Sequence, residues 1–188
     1  MQYSFSEDFL KVLEFSRDEA LRTGWHNICP DHIMLAALRH GENSACSVLE
    51  ALGVSTAGFK ESIDEAIFVS EQIPWEERDS INLCESARSF LGHAALEALR
   101  CKSEEVEPLH FLLACCRISG PYCSDYLAEH EVGVKDIVEA AGMDWNSYGL
   151  SQPAAAKKEA AAPDPEALAA ALEKRIREGY TLDNPIVS

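Results

Sequence analysis

Basic residues are scarce in this chain: 16 Lys and Arg stand against 32 Asp and Glu, a net charge of −16. Nucleic acid and anionic membrane surfaces both call for a basic footprint, so neither is expected as a partner. No apolar run approaches the roughly 18 residues of a membrane-spanning helix. The opening Met1-Gln2-Tyr3-Ser4 is not a basic stretch running into an apolar one, so no signal peptide is expected. C-x-x-C spacing is absent, the seven cysteines are odd in number, and the adjacent Cys115 and Cys116 cannot easily bridge each other. Reduced thiols serving as small apolar residues follow, and with them a cytoplasmic location. The chain also lacks G-x-x-x-x-G-K-[ST], a nucleophile elbow, a catalytic-cysteine signature and any common zinc-ligand spacing. The expectation is therefore no ATP hydrolysis, no enzyme activity, no metal and no cofactor.

What is present suits one folded domain. With 188 residues and 47% hydrophobic content, a single core can bury about 70% of the unfolded chain's surface without a disulfide or metal staple.

The chain repeats itself. Shifted by 78 residues it aligns to itself without a gap, residues 5–63 over 83–141, with 14 identities in 59 positions. Ala20-Leu21-Arg22 falls over Ala98-Leu99-Arg100, and Pro30-x-His32-x-x-Leu35-Ala36 over Pro108-x-His110-x-x-Leu113-Ala114. Each repeat reads as four helices. In the first, Phe9, Val12, Leu13, Ser16 and Ala20 have helical spacing. Ser6 is the expected N-cap, Glu7 and Asp8 suit the positive end of the helix dipole, and Gly24 is the stop. A second helix starts near Pro30, where a missing N–H costs nothing, and ends at Gly41. A third covers about 45–52, and a fourth begins near Ser55 or Thr56 and carries Phe59, Ile63 and Ile67. No segment has the period-2 pattern of a strand.

These residues predict an all-α, pseudo-twofold bundle of about eight helices over residues 1–145, with repeats at about 5–68 and 83–141. Composition shifts afterwards. Residues 146–163 read as an Ala/Pro-rich linker. Asp164-Pro165 looks like a cap followed by a first helical Pro, and Leu168, Leu172 and Ile176 form a stripe at i, i+4, i+8. A short amphipathic helix over 164–179 is predicted, then a mobile tail over 180–188. The stripe is a candidate docking face for a partner groove or for this domain itself.

Several motifs carry a family resemblance: Phe5-Ser6-Glu7, Glu19-Ala20-Leu21-Arg22-x-Gly24, Asp31-His32-Ile33-x-Leu35-x-x-Leu38, Gly41-Glu42 and Val48-Leu49-x-x-Leu52-Gly53-Val54. The pattern resembles the Clp amino-terminal repeat domain, the double four-helix module at the front of Clp-type AAA+ unfoldases and disaggregases. It covers about residues 3–141, more specifically in repeat 1 than in repeat 2. The resemblance implies a protein-binding module that receives clients and adaptors for an ATPase ring, either free-standing or as the front piece of a longer unfoldase. Some members recognise phosphorylated arginine through an early Ser/Thr and the Glu of a Thr-Glu-His start. Repeat 1 has Ser6 and Asp31 at those places, whereas repeat 2 has Cys84 and Leu109. A charged pocket is thus expected in repeat 1 only, and the chain's acidity disfavours a phosphate ligand.

The candidate partner-contact residues are Phe5, Ser6, Trp25 and Asp31, with Leu168, Leu172 and Ile176 as a second mode. The partners implied are a Clp-type ATPase, an adaptor or client segments. His32 and His110, at matching helix starts, read as buried rings bonded to backbone in the turn rather than as metal ligands. Cys115 and Cys116 read as core filler, and Cys29, Cys46 and Cys101 as helix-edge thiols. A cysteine-based redox- or metal-responsive regulator stays open as an alternative. Trp25 reads as a loop anchor or a plug, and Trp75 and Trp145 as packing residues.

Overall fold

Ser6 starts the first helix as its position demands: its hydroxyl accepts the Phe9 N–H at 3.2 Å, ahead of an acidic first turn. Helix α1, Glu7–Thr23, then runs to Gly24, which sits at φ 84°. Only glycine suits that turn, because a Cβ there would lie 2.4 Å from the Glu71 carbonyl oxygen. The structure is a computed structural model and describes residues 4–149 together with Ala170, Glu173 and Lys174.

Repeat 1 continues with α2 (Pro30–His40), α3 (Ser44–Ala51) and α4 (Thr56–Ile67). Asn43 caps α3 twice over, accepting from the Ala45 and Cys46 N–H groups while its amide donates to the Ala37 carbonyl at 2.8 Å. Repeat 2 supplies α5 (Glu85–Arg100), α6 (Pro108–Arg117), α7 (Tyr122–Glu129) and α8 (Val134–Ala140). Pro30 and Pro108 open α2 and α6 as their spacing predicts. A 3-10 helix, Trp75–Ser80, lies between the repeats. Its Arg78 is buried and donates to Asp18 at 2.7 Å, tying the connection to α1.

Among the described residues, four two-residue strands depart from the strand-free expectation. They are β1 (Ser4–Phe5), β2 (Asn27–Ile28), β3 (Asn82–Leu83) and β4 (Glu105–Val106). The parallel pairs are β1 with β4 and β2 with β3, so each repeat's opening segment bonds to the other repeat's loop before its second helix. Two residues are too few to show a period, which is why the pattern was silent.

Within each half the long helices pack in pairs, α1 on α2 and α5 on α6, and the halves join where α3 lies on α6 and α4 on α7. The core is continuous across that join. Phe111 of α6 meets Phe9 of α1 at 6.0 Å and Phe90 of α5 at 6.2 Å between ring centres. Phe59 of α4 stacks on Tyr126 of α7 at 4.2 Å. Fully burying a ring such as Phe9 or Phe111 is worth roughly 1.5–3 kcal/mol. Two polar clasps reinforce the join. The Asp31 carboxylate accepts the Cys123 N–H at 2.7 Å, and the Ser44 hydroxyl accepts the Leu109 N–H at 3.1 Å.

Candidate functional site

The amino ends of α2 and α5 come together through the β2–β3 pair. There the Cys84 N–H donates to the Ile28 carbonyl at 2.9 Å. With the turn at residues 118–121 they border an open cleft of about 580 Å³. Cys29, Pro30 and Asp31 form one wall, Glu85, Ser86, Ser89 and Phe90 another, and the 118–121 turn the third. Two helix amino ends facing one space present partial positive charge. Asp31 and Glu85, each in a first turn, offset it. The cleft therefore combines an apolar floor at Phe90, three serines and two carboxylates. That chemistry suits a polypeptide segment with a polar or cationic side chain.

Asp31 lies deep in this wall, 6% exposed. Burial pushes its carboxyl pKa up, and the N–H bonds from Cys123 and Tyr122 oppose that shift. Ser6 lies elsewhere. Its N–H donates to the Val106 carbonyl at 3.1 Å in the β1–β4 junction, and its hydroxyl is occupied as the α1 cap. Phe5 beside it packs on Phe9 at 5.6 Å. Ser6 and Asp31, expected together in one pocket, thus belong to two different junctions. The reason is the crossed strand pairing: Ser6 neighbours the start of α6, where Leu109 stands, and Asp31 neighbours Cys84.

Trp25 sits in the loop after α1, 37% exposed. Its indole N–H donates to the Ile67 carbonyl at 2.6 Å and its ring meets His32 edge-on at 5.7 Å. Trp145 stacks on Tyr148. Trp75 does not pack as expected. It is 63% exposed, with the Arg78 guanidinium 5.0 Å above its ring, and it lines a shallow groove with Pro74 and Asp18. Leu168, Leu172 and Ile176 lie outside the described residues. From the same segment, the Glu173 carboxylate accepts from Arg88 of α5 at 2.8 Å.

Both repeat histidines are helix-start braces. The Cys29 N–H donates to His32 Nδ1 at 2.9 Å, and the Glu107 N–H to His110 Nδ1 at 2.9 Å. An accepting Nδ1 fixes the proton of the neutral ring on Nε2, which in His32 faces the Thr23 hydroxyl at 3.0 Å. Burial holds both rings down at a pKa of about 4. Cys46 is buried rather than at an edge, and Cys115 and Cys123 lie sulfur to sulfur at 3.8 Å in the core. Among the described residues no three His, Cys, Asp or Glu side chains gather as a metal site.

Sequence reasoning passed over Cys84 as a partner for Cys29. The repeat alignment places Cys84 over Ser6, but only the strand pairing brings it beside Cys29. Burial pushes the Cys101 and Cys116 thiols up to about 12. Cys84 goes the other way, down to about 6, held by the Cys29 thiol beside it and by N–H groups at the start of α5.

The family model of the Clp repeat (R) N-terminal domain matches residues 4–130. The chain is 26% identical over 179 residues to the chaperone protein ClpB of Oceanobacillus iheyensis, covering 93% of this chain and 22% of that protein. It is 29% identical over 113 residues to the negative regulator of genetic competence ClpC/MecB of Bacillus subtilis, covering 60% of this chain and 14% of that protein. The chain thus spans less than a quarter of the length of either relative. A solved structure from preliminary structural investigations of a malarial protein secretion system shares the fold, with a TM-score of 0.63 at 18% identity over 74% of this chain and 92% of that one.

Proposed function

Because the chain belongs to the Clp repeat (R) N-terminal domain family, we propose that it is a non-catalytic recognition module that docks client or adaptor segments for a Clp-type ATPase. The cleft between the amino ends of α2 and α5 carries this reading. It is open, borders both repeats, and pairs an apolar floor with the carboxylates of Asp31 and Glu85. An exposed carboxylate at Glu85 above the buried one at Asp31 favours segments that bring Lys or Arg, in keeping with the chain's net charge of −16. The same surplus argues against nucleic acid and anionic membrane as partners. No described helix is long and apolar enough to cross a membrane. Unpaired thiols at all seven cysteines suit the cytoplasm. The reading holds equally for a free-standing accessory protein and for the front of a longer unfoldase.

A pull-down from native lysate tests it, using the full chain and a version ending at Gly149. Recovery of a AAA+ ring subunit or its peptidase by both places the contact on the repeat domain. Recovery by the full chain alone assigns docking to the segment holding Leu168, Leu172 and Ile176. If neither brings down any part of a Clp machine, the recognition role is lost.

A further inference from the structure

The two strand junctions are structural equivalents with different chemistry. At one, Ser6 and Glu107 occupy the N-cap positions of α1 and α6; at the other, Cys84 and Cys29 occupy those of α5 and α2. Neither backbone role requires sulfur, since Ser6 caps its helix through oxygen.

The geometry of the second junction brings the sulfurs together. Ile28 and Leu83 are register partners in parallel strands, so Cys29 and Cys84 are the next residue along each. Neighbouring strands run about 4.8 Å apart, and a disulfide spans Cα atoms separated by roughly 4.4–6.8 Å. The Cys29 thiol lies beside the Cys84 sulfur and favours its thiolate. That sulfur also accepts the Ala87 N–H at 3.4 Å. Both residues are half-buried, and Cys29 lines the open cleft, within reach of small oxidants. Cys115 and Cys123 are also adjacent, but both are buried.

We propose that Cys29 and Cys84 are a reversible, hydroperoxide-sensitive dithiol whose disulfide clips the amino ends of α2 and α5 together at the cleft. Cys84 is the attacking sulfur, because it caps α5, where the Ala87 N–H and the amino end of the helix hold its negative charge. Its thiolate attacks one peroxide oxygen; the O–O bond breaks, an S–O bond forms, and the departing oxygen takes up a proton and leaves as an alcohol or water. Cys84 is then a sulfenic acid. The Cys29 sulfur displaces its hydroxyl, which leaves as water with the Cys29 proton. Two thiols and one hydroperoxide become one disulfide, one alcohol or water, and one water. A reducing dithiol restores the pair by exchange.

The test uses the full chain, reduced and then treated with one equivalent of hydrogen peroxide. Remaining thiols are alkylated in denaturant and the peptides mapped by mass. The expected product is a single disulfide joining Cys29 to Cys84, two hydrogens lighter than the reduced chain and reversed by dithiothreitol. Cys29→Ser stops at a sulfenic acid on Cys84, trapped by dimedone. Cys84→Ser, whose cap chemistry Ser6 already exhibits, stays folded and forms no such bond. Before oxidation, native Cys84 alkylates more than about tenfold faster than Cys101. Absence of the Cys29–Cys84 linkage, scrambled pairing, or equal alkylation rates would overturn the proposal. None of these readouts depends on partner binding, so their failure is distinguishable from failure of the recognition role.

Discussion

Glu19 and Glu97 stand at the same place in the two repeats, and each gathers two arginines at equivalent positions. Glu19 binds Arg22 at 2.7 Å and Arg39 at 2.7 Å, and Glu97 binds Arg100 and, at 2.6 Å, Arg117. The third partner differs. In repeat 1, Asp64 bridges Arg22 and Arg39. In repeat 2 the Tyr148 hydroxyl donates to Glu97, whose side chain is wholly buried.

Removing the charge from Glu97 therefore leaves two guanidinium groups facing a neutral amide, whereas Glu19 has Asp64 in reserve. A fully buried pair broken this way costs about 3–5 kcal/mol, and the partial exposure of Arg100 and Arg117 lowers that to about 2 kcal/mol. Glu97→Gln should shift the urea midpoint down clearly further than Glu19→Gln. Equal shifts in equilibrium unfolding would show that Asp64 does not stand in for Glu19.

Acid should destabilise this domain through its helix-start histidines. His32 and His110 have an unfolded pKa near 6.5 and a folded one of about 4. Between those values the unfolded chain binds more protons than the folded one, so stability rises with pH. The stabilisation is complete above about pH 6.5 and is lost as pH falls toward 4, on the order of 3 kcal/mol per ring at the limit. Asp31 works in the opposite sense, since its raised pKa favours the folded state at low pH. The midpoint measured from pH 7 to pH 4 should fall in the wild type. It should fall less in His110→Gln, whose amide oxygen can still accept the Glu107 N–H.

Much of this domain was legible in its residues. The caps Ser6 and Gly24, the prolines opening α2 and α6, and the self-alignment give the helices and the duplication. His32 and His110 were read correctly because a brace needed by the fold recurs in both copies. The junctions were not legible. Two-residue strands have no periodicity, and a bond such as that of Asp31 to Cys123 spans 92 positions. The crossed pairing separates Ser6 from Asp31 and sets Cys29 against Cys84, and no local signal announces it.

Equivalence of the two junctions gives a paired test of capping. Ser6→Ala removes the acceptor for the Phe9 N–H and should cost about 1 kcal/mol. Cys84→Ser exchanges a sulfur acceptor 3.4 Å from the Ala87 N–H for the stronger oxygen acceptor of repeat 1, and should be neutral or slightly stabilising. Thermal unfolding of both variants checks the signs. A large loss in Cys84→Ser would mean that sulfur has a packing role that Ser6 does not reveal.

Asp31 separates a structural role from a recognition role. Its carboxylate satisfies the buried Cys123 N–H at the start of α7, so Asp31→Ala orphans that donor and should cost about 1–3 kcal/mol. Asp31→Asn keeps an oxygen acceptor and the side-chain size, and should lose much less. Because the two variants also remove the same negative charge from the cleft, stability and binding become separable. If the carboxylate only positions α7, Asn retains capture of a Clp-type ATPase or a cationic client peptide while Ala weakens it. If its charge meets the partner, Asn and Ala weaken capture alike despite their different stabilities, and raising the salt concentration weakens wild-type capture toward the same level.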